Sequence, residues 1–191
     1  LLEAYHYLRD HAGEKKARSL YLYGQEINLS TYAIAKINMF LHGLDSADIQ
    51  RGDTIAETKF LNLDGSLKTF DICVANPPYS VSEWEYEKFK SDKHGRITGY
   101  EMPPAKKADY AFVLHMIKSM NENGRAGIVL PHGVLFRGGA EGRIREQFIK
   151  NDLIEAIIAL PSKLFYGTGI PAAIVIFNKN SPEAHKNKIL I

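Results

Sequence analysis

Asn76-Pro77-Pro78-Tyr79 is a tetrapeptide rich in acceptors and poor in donors. Two successive prolines remove two backbone N–H groups and fix φ, which leaves the carbonyls of the segment rigid and outside any sheet ladder. Asn76 adds a side-chain carbonyl and Tyr79 a flat aromatic face. The group that suits such a segment is a planar amine with two hydrogens to donate, stacked on the ring and held by two acceptors. An aryl or amide nitrogen is a poor nucleophile while its lone pair is delocalised. Acceptors oriented for a pyramidal nitrogen favour the reactive geometry through fixed dipoles, and no strong base is needed. The plainer reading is a proline-stiffened turn.

Glu26 and Asp53 are the other side chains that invite chemistry. Glu26 follows the aromatic run Ser19-Leu20-Tyr21-Leu22-Tyr23-Gly24, and Asp53 follows the short polar run from Ala47 to Gly52. Taken singly, each carboxylate is more simply a helix cap. Taken together they suggest more, because an acidic side chain at a strand end is how α/β folds grip the hydroxyls of a ribose. A cofactor that carries a nucleoside becomes a candidate.

The elements that must position these groups follow from periodicity. Residues 1–11 read as a helix, Ser19 to Gly24 as a strand, and Leu29 to Leu41 as an apolar-faced helix capped by Asn28 or Ser30 and stopped by Gly43. Ala47 to Asp53 reads as a strand near a sheet edge, and Asp64-Gly65 suits a small hairpin. Asp71 to Asn76 reads as a buried strand. A long stretch from Ser80 to Lys107 lacks periodicity, as functional or mobile loops do. A helix from Tyr110 to Asn121 precedes a strand stopped by Pro131. Gly133 to Gly142 reads as a flexible connection, Ile144 to Lys150 as a helix, and Asp152–Leu160 and Ala172–Phe177 as two core strands. Helices alternate with strands that are apolar throughout, which predicts a doubly wound α/β fold with a mostly parallel sheet. The last two strands stand too close for a crossover helix, so one of them is expected to be antiparallel.

Composition bounds the class. The chain has 191 residues, 45% hydrophobic and 24% charged, with a net charge of +2; these are the proportions of a globular domain with its own core. The single cysteine, Cys73, excludes a disulfide framework and reads as a small core residue, and a cytoplasmic setting is expected. No run approaches the roughly 18 apolar residues of a membrane span. The seven histidines show no metal-ligand spacing, and no metal is expected. Lys88, Lys90, Lys93, His94, Arg96, Lys106 and Lys107 follow the Asn-Pro-Pro-Tyr segment, and Arg137, Arg143 and Arg145 come later; alone they read as solvated loop charge.

Asp71-Ile72-Cys73-Val74-Ala75-Asn76-Pro77-Pro78-Tyr79 resembles the catalytic motif of amino-methyltransferases that use S-adenosylmethionine. The chain from Leu1 to Asn178 resembles the modification (M) subunit of type I restriction-modification systems, which are adenine-specific DNA methyltransferases. Further segments carry the likeness: Tyr23 to Asn28, Arg51 to Thr54, Lys107 to Phe112, Gly127 to Phe136, and Leu160-Pro161 through Gly167 to Pro171. The resemblance implies a Rossmann-like methyltransferase fold with S-adenosylmethionine as cofactor. It implies that Glu26 holds the ribose hydroxyls, Ile27 packs on the cofactor's adenine, and Asp53, with Thr54 beside it, accepts from that adenine's amino group. Asn76 and the Pro77 carbonyl would hold the 6-amino group of a target adenine swung out of the duplex, Pro78 would stiffen the turn, and Tyr79 would stack on the base. Phe165 or Tyr166 would supply the opposite wall. The implied partners are double-stranded DNA, a specificity (S) subunit and a second M subunit; a restriction (R) subunit is left open.

The opening residues Leu1 to Asp10 have the spacing of a helix already under way, and the family's glycine-rich cofactor loop is expected just before Leu1. On this reading residues 1–191 are a partial catalytic domain that lacks the N-terminal part of the fold and is not expected to act alone. Two other functions share the motif. Protein glutamine methyltransferases face the same problem with an amide nitrogen, and an inactive methyltransferase-like module would serve assembly or DNA binding.

Overall fold

The computed structural model describes residues 1–165 and 169–191. The chain divides into two compact units, Leu1–Lys59 and Phe60–Ile191.

In the first unit, α1 (Leu2–Ala12) and α2 (Glu14–Ala17) precede β1 (Tyr23–Glu26), α3 (Leu29–Leu41) and β2 (Asp48–Arg51). The two strands pair in parallel, from Tyr23 opposite Asp48 to Glu26 opposite Arg51. Of the two candidate caps for α3 it is Asn28 that serves, its Oδ1 accepting the Thr31 N–H at 3.0 Å. The first strand starts later than its aromatic content suggests. The amides of Ser19 and Leu20 instead close the α2 turn on the carbonyls of Lys16 and Ala17. Tyr5, Ala17, Leu22, Met39, Leu44 and Ile49 form a small core.

The second unit contains β3 (Phe70–Ala75), α4 (Tyr86–Lys90), α5 (Asp109–Ser119), β4 (Met120–Pro131), α6 (Gly133–Phe136), α7 (Gly139–Lys150), β5 (Ile154–Ala159) and β6 (Ala172–Asn178). Its sheet has the order β3-β4-β6-β5. β3 runs parallel to β4, whereas β6 runs antiparallel to both its neighbours and is the reversed strand expected near the C-terminus. Ile128, Leu130, Val175 and Phe177 of the strands and Val113, Leu114, Ile144 and Phe148 of the helices are all buried. Phe148 meets Phe177 edge-on with ring centroids 5.4 Å apart and also meets Tyr110. Burying a ring of this size stabilises the fold by roughly 1.5–3 kcal/mol. The hairpin at Asp64-Gly65 is present, with Leu61 bridged to Leu67 and Gly65 at φ 79°.

Three expectations change. β3 is not a buried strand: among the described residues it lies at the edge of its sheet with β4 as its one neighbour, and Ile72 and Val74 are 72% and 65% exposed. Gly133 to Gly142 is not a flexible connection, because it holds α6 and the start of α7. Arg145 Nη1 donates to the carbonyls of Val134 and Arg137 and ties those two helices together. The stretch from Ser80 to Lys107 is folded around Phe89, which is wholly buried. Trp84 lies against that ring, and the Arg96 guanidinium sits 4.5 Å from its centroid while pairing with Asp92 at 2.8 Å. Two of the basic side chains expected in solvent therefore serve structure, Arg96 at 4% exposure and Arg137 within an ion-pair network.

Candidate functional site

Glu26 ends β1, and Asp53 stands just past the end of β2. Because the two strands are parallel neighbours, the first unit brings both carboxylates to the same end of its sheet. Each is oriented by one oxygen. Glu26 Oε1 accepts the Asn28 N–H at 2.8 Å, and Asp53 Oδ1 accepts the amides of Ile55 and Ala56 at 2.8 and 3.1 Å. Neither carboxylate caps a helix, since Asn28 caps α3 and a turn follows Asp53, but these local backbone bonds occupy one oxygen of each. Among the described residues, Glu26 Oε2 and Asp53 Oδ2 have no partner. A carboxylate fixed by one oxygen presents the other at a defined place, which is what holding a ribose diol or an exocyclic amine requires. Ile27, 61% exposed, offers an apolar surface beside Glu26, and Thr54 lies in the turn that Asp53 starts.

Gln25 is a positioning residue that motif and spacing do not single out. Its Nε2 donates to the Glu57 carbonyl at 2.8 Å and its Oε1 accepts the Lys59 amide at 3.0 Å. The Gly52 amide bonds the Glu26 carbonyl at 3.0 Å. These bonds fasten the turn that carries Asp53 to the end of β1. The signal in the sequence is modest: a primary amide, donor and acceptor at once, beside a carboxylate at a strand end.

In the second unit, Asn76-Pro77-Pro78-Tyr79 follows β3 directly. Pro77 is buried, Asn76 and Pro78 are exposed, and Tyr79 is half-buried. The Tyr79 hydroxyl is buried with no partner among the described residues, and burial raises its pKa, so the phenol stays neutral. Ser80 adopts φ 50°, the left-handed region that residues with a Cβ rarely enter. Its amide donates to Asp109 Oδ1 at 2.8 Å. Of the two candidates for the opposite wall, Phe165 is half-buried at a bend after β5, and no ring contact joins it to Tyr79 among the described residues; Tyr166 lies outside the described residues. No group of His, Cys, Asp and Glu among the described residues has the arrangement of a metal site.

Comparison with known proteins bears on what this arrangement does. The model of the family described as N-6 DNA Methylase matches residues 1–191. The methylase subunit of the type I restriction enzyme MjaVII from Methanocaldococcus jannaschii is 39% identical over 199 residues, covering 100% of this chain and 32% of that protein. The crystal structure of the type I restriction-modification system methyltransferase subunit from Streptococcus thermophilus superposes with a TM-score of 0.79 at 36% identity. That match covers 92% of this chain and 37% of the other. A protein from Listeria monocytogenes assigned by likeness to the class I S-adenosylmethionine-dependent methyltransferases, at 16% identity and a TM-score of 0.70, shares the fold over 99% of this chain and 53% of its own. The fold is thus the Rossmann-like one of that methyltransferase class. The chain spans about a third of the length of the curated relatives it matches.

Proposed function

The chain belongs to the N-6 DNA methylase family, and from that membership we propose that it forms part of a type I modification subunit that methylates the 6-amino group of adenine in DNA. The observation that carries this reading is the turn at the end of β3. Two prolines there leave carbonyls free of ladder bonding, Asn76 is exposed beside them, and Tyr79 presents a ring whose hydroxyl is turned into the protein.

When bound, S-adenosylmethionine supplies a methyl group made electrophilic by its sulfonium sulfur. The residues of the first unit fit its nucleoside. Glu26 Oε2 accepts from the ribose hydroxyls, Asp53 Oδ2 accepts from the adenine amino group, and Ile27 and Thr54 line that ring. This assignment covers the nucleoside and leaves the methionine portion without an assigned residue. In the second unit, Asn76 Oδ1 and the Pro77 carbonyl accept the two hydrogens of the target amine, which turns its lone pair out of conjugation. Pro78 keeps the turn rigid, and Tyr79 stacks on a base that has left the duplex, with Phe165 or Tyr166 proposed for its other face. No side chain here is asked to act as a strong base: alignment supplies most of the acceleration, and the methylated amine, strongly acidic while its nitrogen is four-coordinate, gives up its extra proton to water.

The same reading gives the protein double-stranded DNA as substrate and a cytoplasmic setting in which to meet it. A specificity (S) subunit and a second M subunit are proposed partners, with a restriction (R) subunit as a further one; the family resemblance is what supports them. The test is to incubate the full-length protein and its partner subunits with methyl-tritiated cofactor and, in separate reactions, unmodified DNA and a peptide-chain release factor, the substrate that the glutamine-methyltransferase reading implies. Label recovered as N6-methyladenine is the expected result. Label in a glutamine of a release factor, or in neither substrate, overturns the proposal.

A further inference from the structure

We infer that Asp109 is a positioning residue for this transfer, holding the backbone bend after Tyr79 so that Asn76 and Pro77 keep their acceptors aimed at the amine. The inference rests on the function proposed above. Asp109 opens α5 and is 1% exposed. Its Oδ1 accepts the Ser80 amide at 2.8 Å, and its Oδ2 accepts the Ser80 hydroxyl at 3.3 Å and Arg137 Nη2 at 2.8 Å. Arg137 Nε stands 2.7 Å from Glu141 Oε2, an ion-pair contact in which the guanidinium serves both carboxylates. The preceding residue, Ala108, donates its amide to the Val81 carbonyl at 3.1 Å. Two consecutive residues at the start of α5 thus grip the two residues that follow Tyr79.

The segment needs such a grip. Pro77 and Pro78 have no amide hydrogen with which to be tied down, and among the described residues the side-chain bonds that fasten this turn fall on Ser80. Ser80 holds φ 50°, a conformation that persists only where the surroundings over-determine it. A buried carboxylate accepting a backbone amide, a hydroxyl and an arginine supplies charge-assisted bonds of the required strength. Asp109 does not touch the amine; it acts through Ser80 on the turn that does.

The test uses the full-length protein in two separate measurements. The first is amide hydrogen exchange of the peptide spanning residues 76–82, which needs no activity. The second is steady-state methyl transfer to DNA. Asp109→Ala is expected to deprotect that peptide while the β4 and β6 amides stay protected. It should lower kcat about 10²-fold, the cost of a misplacement of about 1 Å, with the KM for cofactor within about 2-fold of wild type. Ser80→Gly keeps the amide and tolerates the backbone angle, so it should retain most of the activity. Asp109→Asn keeps the shape and one acceptor for the Ser80 amide but loses the charge that holds Arg137; it should deprotect the peptide and lower kcat, each less than Asp109→Ala does, and it covers the case in which the alanine variant does not fold. The inference is overturned if the peptide stays protected in Asp109→Ala and Asp109→Asn, or if kcat falls only with the folded fraction. Wild-type protein that places no label in DNA would overturn the functional reading, while the exchange measurement still decides whether Asp109 holds the turn.

Discussion

The side-chain amide of Gln25 spans the gap to the carbonyl of Glu57, Nε2 lying 2.8 Å from the oxygen, while its own Oε1 accepts the Lys59 amide at 3.0 Å. One residue of β1 thereby fixes a turn more than thirty positions later in the chain, and Asp53 stands at the head of that turn. Gln25→Ala removes both bonds and should cost about 1–3 kcal/mol, because two backbone groups lose their partners. Urea unfolding checks the stability. The dissociation constant for S-adenosylmethionine should rise in the same variant, since Asp53 loses its fixed position.

Glu26 separates binding from chemistry. Glu26→Ala removes the oxygen assigned to the ribose along with the one that receives the Asn28 amide. Loss of charge-assisted bonds to a ligand corresponds to a rise of about 10–100-fold in the cofactor dissociation constant. At saturating cofactor, kcat should change far less. Isothermal titration and steady-state kinetics on the full-length protein read the two quantities separately, and a fall in kcat with unchanged affinity would remove Glu26 from the nucleoside site.

Much of this arrangement is legible in the sequence, and the failures have physical causes. The bounds of α3 follow from its apolar face and the Asn28 cap. The reversed strand follows from the short link between β5 and β6. The edge position of β3 and the exposure of Ile72 and Val74 do not, because those residues have the types of a covered strand. Gly133 to Gly142 is disguised by its glycines, whose weak helix propensity is offset by bonds from Arg137 and from Arg145 just beyond the stretch. The Ser80 to Lys107 stretch has no periodicity because it packs around one ring, Phe89, instead of along a helix or strand face. Glu26, Asp53 and Asn76 to Tyr79 stand out by their chemistry, while Gln25 and Asp109 act only through long-range bonds that spacing does not reveal.

His115 makes stability depend on pH. Burial, and then the nearby Arg96 guanidinium, push its pKa down from 6.5 to about 3, and its Nδ1 is buried without a hydrogen bond among the described residues. The folded protein therefore keeps this imidazole neutral at pH values where the unfolded chain takes up a proton. Stability from this group is complete above pH 6.5 and is lost as pH falls towards about 3. Between pH 7 and pH 5 the wild type should lose about 2 kcal/mol more than His115→Gln. Urea titrations of both proteins at the two pH values measure the difference, and equal losses would contradict it.

Cys73 should be slow to react. Burial pushes its thiol up to about 11, partly countered by the charge of Lys179. The thiolate is the nucleophile, and a thiol at about 11 in place of the ordinary 9.0 holds far less of it at neutral pH. Alkylation should be about 10²-fold slower than for a free thiol. Iodoacetamide labelling at about pH 8, below the ordinary thiol range, followed by mass spectrometry, reads this rate. Labelling as fast as that of a small free thiol would show that the β3 edge opens more readily than its packing implies.

The most direct measurement concerns Asn76. Full-length wild type and Asn76→Ala are supplied with methyl-tritiated S-adenosylmethionine and DNA, and cofactor affinity is determined in parallel. Since Asn76 is exposed at the end of β3 and assigned to the amine, the substitution should abolish label at adenine N6 while cofactor affinity persists. Undiminished label in the Asn76→Ala protein would contradict the role of this turn in methyl transfer.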